Sequence, residues 1–185
     1  MANHAQTIKA RATLIILMLR EDHQKVRQLY DQFDKTTNRH EKWHIMTEAL
    51  AALEVHATLE EELIYPAWRQ HMDEQDLIDE ALKEHHDALL LITELKKMKP
   101  DDDRYHGNFT VLGNHVTDHM KEEEGKMFPR VEQVDLDWER LTTHVMQRRQ
   151  RLEHKPLWLL GVPVIISGRE RVFAARAVLS GRSGG

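Results

Sequence analysis

Two stretches carry residue types that could do chemistry at a shared spacing. One is His119-Met-Lys-Glu-Glu-Glu-Gly-Lys-Met-Phe-Pro129; the other is His56-Ala-Thr-Leu-Glu-Glu-Glu-Leu-Ile-Tyr-Pro66. In each, a His is followed at i+4 by Glu (Glu60, Glu123), within an acidic triplet, then by an aromatic residue and a Pro at i+10. Residues four apart share a helix face, so each stretch projects an imidazole and a carboxylate the same way. A chain with 13 His and no Cys that does this twice is most simply read as holding metal between helices. Without thiolates, disulfides and thiol catalysis are excluded, and any ligand is nitrogen or oxygen. Such donors suit non-haem iron, manganese or zinc.

Each arm needs helices to position it. The chain of 185 residues suits one domain with a real core. Gly and Pro are sparse before residue 156 and strand-like alternation is absent, which predicts an all-α fold. Helices are expected at about 9–34, 39–70, 76–99, 104–130 and 137–154, with Asp137 as an N-cap for the last. Their inward stripes run Ile16, Leu19, His23, Val26, Tyr30, Phe33; Ile45, Ala49, Ala52, His56, Glu60, Leu63, Ala67; Ile78, Leu82, His85, Leu89, Ile92; and Leu112, His115 or Val116, His119, Glu123, Met127. A Glu on an apolar stripe is costly unless paired or coordinated. Pro66 lacks a donor, so a kink is expected just past the motif. The fifth helix is expected to turn its arginines to solvent.

A repeat ties the stripes together. His23 to His56 is 33 residues and His85 to His119 is 34, so two helical hairpins present His, then His and Glu. Closed on each other they make an up-down four-helix bundle with a fifth C-terminal helix. Four imidazoles (His23, His56, His85, His119) and two carboxylates (Glu60, Glu123) would then surround one central cavity. Six donors suit one octahedral ion, or two ions bridged by the carboxylates; the two-fold repeat favours two. An inward His alone is usually structural and an acidic triplet alone is usually solvated, but their joint occurrence on four helices argues for a site. The order and spacing differ from the Glu-x-x-His of ferritin-like centres, and His-Glu-x-x-His is absent.

The formal charge of −5 argues against a nucleic-acid partner, which needs a concentrated basic face. The apolar run Leu14 to Leu19 is far short of a membrane span and passes into Arg20-Glu21-Asp22 without a cleavage site, so a cytoplasmic protein is expected. Residues 9–154 are read as the helical domain and 155–185 as a C-terminal tail, partly ordered, with a short helix near 169–179 that docks on the bundle, ahead of a membrane surface or a protein partner.

The pattern His, His-x3-Glu, His, His-x3-Glu resembles the bacterial members of the hemerythrin-like (HHE cation-binding) family. So do Leu19-Arg-Glu-Asp-His23, Glu60-Glu-Glu-Leu-Ile-Tyr-Pro66, Glu84-His85 and Lys121-Glu-Glu-Glu-Gly-Lys-Met-Phe-Pro129. The resemblance covers about residues 12–154 and implies two non-haem iron ions, ahead of manganese or zinc, in a four-helix bundle. It implies that His23, His56 and Glu60 serve one iron and His85, His119 and Glu123 the other, with both Glu as bridges. The oxygen-carrying members have five His; here the positions four from His85 are Ala81 and Leu89. Reactivity with dioxygen, peroxide or NO in oxidative or nitrosative stress is therefore expected over oxygen carriage. Turnover of peroxide or NO, an iron or oxygen sensor without turnover, and a metal-free structural bundle stay open. So do His86 in place of His85, His115 as a fifth imidazole, and the oligomeric state.

Overall fold

A computed structural model describes residues 2–153, with side chains from Leu14 onward. Every regular element among them is helical. The first bundle helix is α1 (Ala2–Lys35). The second is built from α2 (Arg39–Leu59), a π-helical turn (Glu60–Ile64) and α3 (Tyr65–Arg69). The third is α4 (Gln75–Lys97), and the fourth repeats the second: α5 (Arg104–Glu122), a π-helical turn (Glu123–Met127) and α6 (Phe128–Val131). The fifth is α7 (Trp138–Glu153). The expectations about the tail, from 154 on, lie outside the described residues.

Local chemistry sets the boundaries. Asn38 caps α2, its side chain accepting from the N–H groups of His40 and Glu41. Asp137 caps α7 through the N–H of Arg140, 3.1 Å away. α1 lies along α2 and α4 along α5, while α2 also meets α4 and α1 meets α5, closing the bundle. α7 rests on α1, on α2 and on the first π-helical turn.

The apolar residues form two clusters. One holds Ile15, Leu19, Leu59, Ile64, Trp68, Phe128 and Trp138; the other holds Val26, Phe33, Met46, Ala49, Phe109 and Leu112. Most of the predicted stripes are inward, but Leu89 is half-exposed. Ile92 and Leu95 are the buried residues of that part of α4, so its inner face runs from His85 to Ile92 at seven residues and bypasses Leu89.

At Gly113 the two hairpins approach closely. A Cβ there would lie 2.5 Å from Cε1 of Tyr30, whose ring stacks on Phe109 at 4.3 Å between centroids. The missing side chain is what lets α1 lie against α5 at this level.

Candidate metal centre

Among the described residues, six polar or charged side chains are buried: His23, His56, Glu60, His85, His119 and Glu123. Each bundle helix contributes to this group. His56 and Glu60 are one turn apart on the second helix, His119 and Glu123 on the fourth, and α1 and α4 add one imidazole each.

The imidazoles meet in pairs. Nε2 of His23 is 3.2 Å from Nε2 of His56, and Nε2 of His85 is 3.0 Å from Nε2 of His119. Each carboxylate lies across both pairs. Oε2 of Glu60 is 3.1 Å from Nε2 of His56 and 3.3 Å from that of His85; Oε2 of Glu123 is 3.2 Å from Nε2 of His23 and 3.5 Å from that of His119. The donor atoms of His23, His56, Glu60 and Glu123 lie within 4.8 Å of one another, as do those of Glu60, His85 and His119. Glu123, expected with the second hairpin, is thus marginally nearer His23. His86 and His115 are exposed and take no part.

The outward nitrogens are as regular as the inward ones. Nδ1 of His23 meets Glu124 at 2.8 Å, and Nδ1 of His85 meets Glu61 at 3.0 Å. Nδ1 of His56 meets Asp22 at 3.3 Å, and Nδ1 of His119 meets Glu84 at 2.8 Å. The repeat governs this set too. The residue before the first His of each hairpin holds the second His of that hairpin; the residue after each inward Glu holds the first His of the other hairpin. With Nδ1–H donated to a carboxylate, each ring is turned so that its Nε2 lone pair faces the centre.

Asp22, Glu61, Glu84 and Glu124 were not singled out as partners in the sequence, where the triplets read as solvated face. The signal was present as an acidic residue at one offset from each repeat's landmark. Tyr65 was also missed: its hydroxyl donates to Oε1 of Glu123 at 2.7 Å. A third unforeseen group is Arg149 of α7. It is half-buried rather than solvated, and grips both oxygens of Asp22, Nη1 at 2.8 Å from Oδ1.

The two π-helical turns explain how each Glu is aimed. The N–H of Tyr65 bonds back to the carbonyl of Glu60, and that of Phe128 to Glu123, five residues in both cases. Each turn sits just before a Pro that has no N–H to give. The expected kink at Pro66 is thus realised as a widened turn that opens at the Glu.

Charge balance follows. Both oxygens of Glu60 and Oε2 of Glu123 are buried with no hydrogen-bond partner, although imidazole nitrogens stand 3.1–3.5 Å from each Oε2. In the metal-free chain, burial pushes His56 down, but the charge of Glu60 and the hydrogen bond of Asp22 outweigh it and raise its pKa to about 10. Burial likewise opposes His85, which Glu60 and Glu61 carry up to about 9. The cavity therefore demands positive charge, supplied by protons or by a cation. Unpartnered carboxylate oxygens among converging imidazole lone pairs fit a nitrogen- and oxygen-ligated metal ion. Against α4 and α5 a small cleft reaches this set; its lining includes Glu80, Glu84, Glu122, His119 and Glu123.

Residues 14–131 match the model of the hemerythrin HHE cation binding domain. The chain belongs to this family. Its fold is similar to the crystal structure of a hemerythrin HHE cation binding domain-containing protein from Mycobacterium kansasii, with a TM-score of 0.60 and 23% identity, covering 77% of this chain and 93% of that one. A relative named a DNA nickase, from Nostoc sp. (strain PCC 7120), is 25% identical over 114 residues, 62% of this chain. The match spans 32% of that relative's length. The HHE match ends before α7, so Arg149 reaches the site from outside the matched domain. Among the described residues, no helix is long and apolar enough to cross a membrane.

Proposed function

We propose that this HHE domain is a cytoplasmic non-haem di-iron protein that binds dioxygen, peroxide or NO in oxidative or nitrosative stress. His23, His56 and Glu60 would hold one ion and His85, His119 and Glu123 the other, with both carboxylates shared. The supporting observation is Glu60, fully buried, its two oxygens unpartnered and its Oε2 set between an imidazole of each hairpin. Bound there, two iron ions would supply redox chemistry toward a small oxygen or nitrogen species.

The remaining work falls to the chain. Four outward carboxylates keep the imidazoles oriented and electron-rich. Tyr65 keeps a proton at its hydroxyl, because burial and then the charges of Glu123 and Glu60 push its pKa well up. That hydroxyl is the buried proton nearest Glu123, available to a ligand that gains negative charge. Phe128, fully buried in one apolar cluster with Leu59 and Ile64, covers the His23 side of the site. Phe128 also lies parallel to the His23 ring, 5.9 Å between centroids.

Iron analysis of protein purified from its host should give about two ions per chain, as the two-fold arrangement of the six donors favours. Peroxide or NO consumption should vanish in Glu60→Ala. Unchanged metal content in the Glu60→Ala/Glu123→Ala double variant would remove the proposal. A second reading, an iron or oxygen sensor without turnover, is favoured by the contact of Arg149 with Asp22. That contact would pass a change at His56 to α7. Metal-dependent ordering of α7 in a protein with no turnover would select it.

A further inference from the structure

Symmetry holds for the imidazoles and their carboxylates, but not for the charges beyond them. Beside His23 and His56, both outward carboxylates are bound by guanidinium groups. Arg149 holds Asp22 by two nitrogens. Glu124 takes Nη2 of Arg27 at 2.8 Å and Nη1 of Arg20 at 3.2 Å. Beside His85 and His119, Glu61 and Glu84 have no arginine or lysine in hydrogen-bond or ion-pair contact among the described residues; the cation nearest in effect on Glu84 is Lys126. One half thus carries two carboxylates under three cations, of which Arg149 is shared with Glu153 at 3.7 Å, and the other carries two carboxylates uncovered.

Two effects then act in one direction. A divalent cation is repelled by the guanidinium groups near the first half and attracted by the net negative charge of the second. An outward carboxylate also strengthens its imidazole as a ligand by drawing on the Nδ1 proton, and a guanidinium on the same carboxylate draws the other way. The cleft lined by Glu80, Glu84 and Glu122 reaches the uncovered half at His119, while Oε2 of Glu123, nearer His23, leaves the covered half with the larger donor set, against which the outer charges act. Resting on the two-ion reading, the geometry points to an unequal, ordered pair: the His85/His119 position fills first and holds tighter, and Arg149, Arg27 and Arg20 weaken the His23/His56 position. Arg149 is on this account a positioning residue acting through Asp22, supplied by a helix outside the matched domain.

The test is a cobalt(II) titration of the full metal-free chain, followed by visible absorption and calorimetry. Wild type should bind in two steps whose constants differ at least tenfold. His119→Ala should lose the tighter step and His23→Ala the weaker. Arg149→Met should tighten the weaker step severalfold and narrow the gap, while Arg149→Lys, which keeps the charge, should preserve it. If Arg149→Met does not fold, Arg27→Met makes the same test through Glu124. Two equal steps, loss of the tighter step in His23→Ala, or a gap unmoved by both methionine variants would overturn the inference and leave the two-ion reading intact. No cobalt uptake by wild type would overturn both.

Discussion

The hydroxyl of Tyr65 donates to Glu123 across the bundle at 2.7 Å, while Phe128, at the equivalent position of the second repeat, has no hydroxyl to offer Glu60. The two carboxylates at the heart of the site therefore differ by one hydrogen bond. Tyr65→Phe should remove it and strand a second buried oxygen of Glu123. A hydrogen bond to a charged group contributes roughly 1.5–3 kcal/mol, so urea unfolding of the metal-free variant should show a loss in that range. A change below about 0.5 kcal/mol would mean the bond adds nothing to stability.

Glu84→Gln keeps an acceptor for Nδ1 of His119 but removes its charge. The carboxylates behind metal-bound imidazoles are typically worth about 10–100-fold in affinity, and the loss here should lie toward the lower figure. Competition against a chromophoric chelator measures it. The same change at exposed Glu80, which lines the cleft without touching an imidazole, should shift affinity less.

Gly113→Ala reverses the usual sign of its substitution. In an open helix, replacing Gly by Ala gains about 0.5–1 kcal/mol. Here the added methyl would meet the Tyr30 ring at 2.5 Å, and that ring is pinned by its stack on Phe109. Overpacking should win, with a net loss of about 1–3 kcal/mol in thermal or urea unfolding. Tyr30→Leu in the same background should recover part of it.

Much of this arrangement was legible in the sequence, for identifiable reasons. The spacings of 33 and 34 between histidines placed two hairpins at matching depth, and the stripes put His23 and His85 opposite His56 and His119. Periodicity assigns a residue to a face but does not say which helix stands opposite. Glu61 and Glu124 lie on the flank of the ligand face, and only the crossing of hairpins brings them to His85 and His23. Arg149 was hidden for the same reason, since its partner is 127 residues away. The π-helical turns shift register within a helix, which a fixed period of 3.6 cannot anticipate. Leu89 failed because an apolar residue one turn from a stripe residue need not lie on the stripe.

Acid should weaken the fold in a definite window. The His119 hydrogen bond holds Glu84 below its usual 4.5. Burial opposes the same shift at Asp22, Glu124 and Glu60, yet His56 lowers Asp22 from 3.8, His23 and Arg27 lower Glu124, and the charge of His56 keeps Glu60 well down. Carboxyls depressed in the folded state add stability above their unfolded values, and that contribution is lost as pH falls through the folded ones. Metal-free protein should be insensitive to acid down to about pH 5, then lose stability steadily below the range 3.8–4.5. Helicity followed by circular dichroism against pH tests this; a loss beginning near pH 6 would contradict the raised values at His56 and His85, which add stability as pH falls.

The two π-helical turns have a consequence for how this chain can change over time. Each accommodates one residue more than an α-helix would, so Glu60–Ile64 and Glu123–Met127 act as slip joints. His56 and Glu60 take their angular setting from the helix before the joint, while Trp68 and the Pro66 segment take theirs from the helix after it. Removing a single residue from a joint would close it into regular helix and leave the helix beyond near its original facing, because five residues of the widened turn sweep about the angle of four in an α-helix. A single-residue deletion there should therefore spare the helix beyond and be felt at the ligands, lowering metal affinity through a re-aimed Glu60 or Glu123 while helicity is kept. Insertions and deletions tolerated within the family should fall in the connections between helices, leaving both joints at constant length.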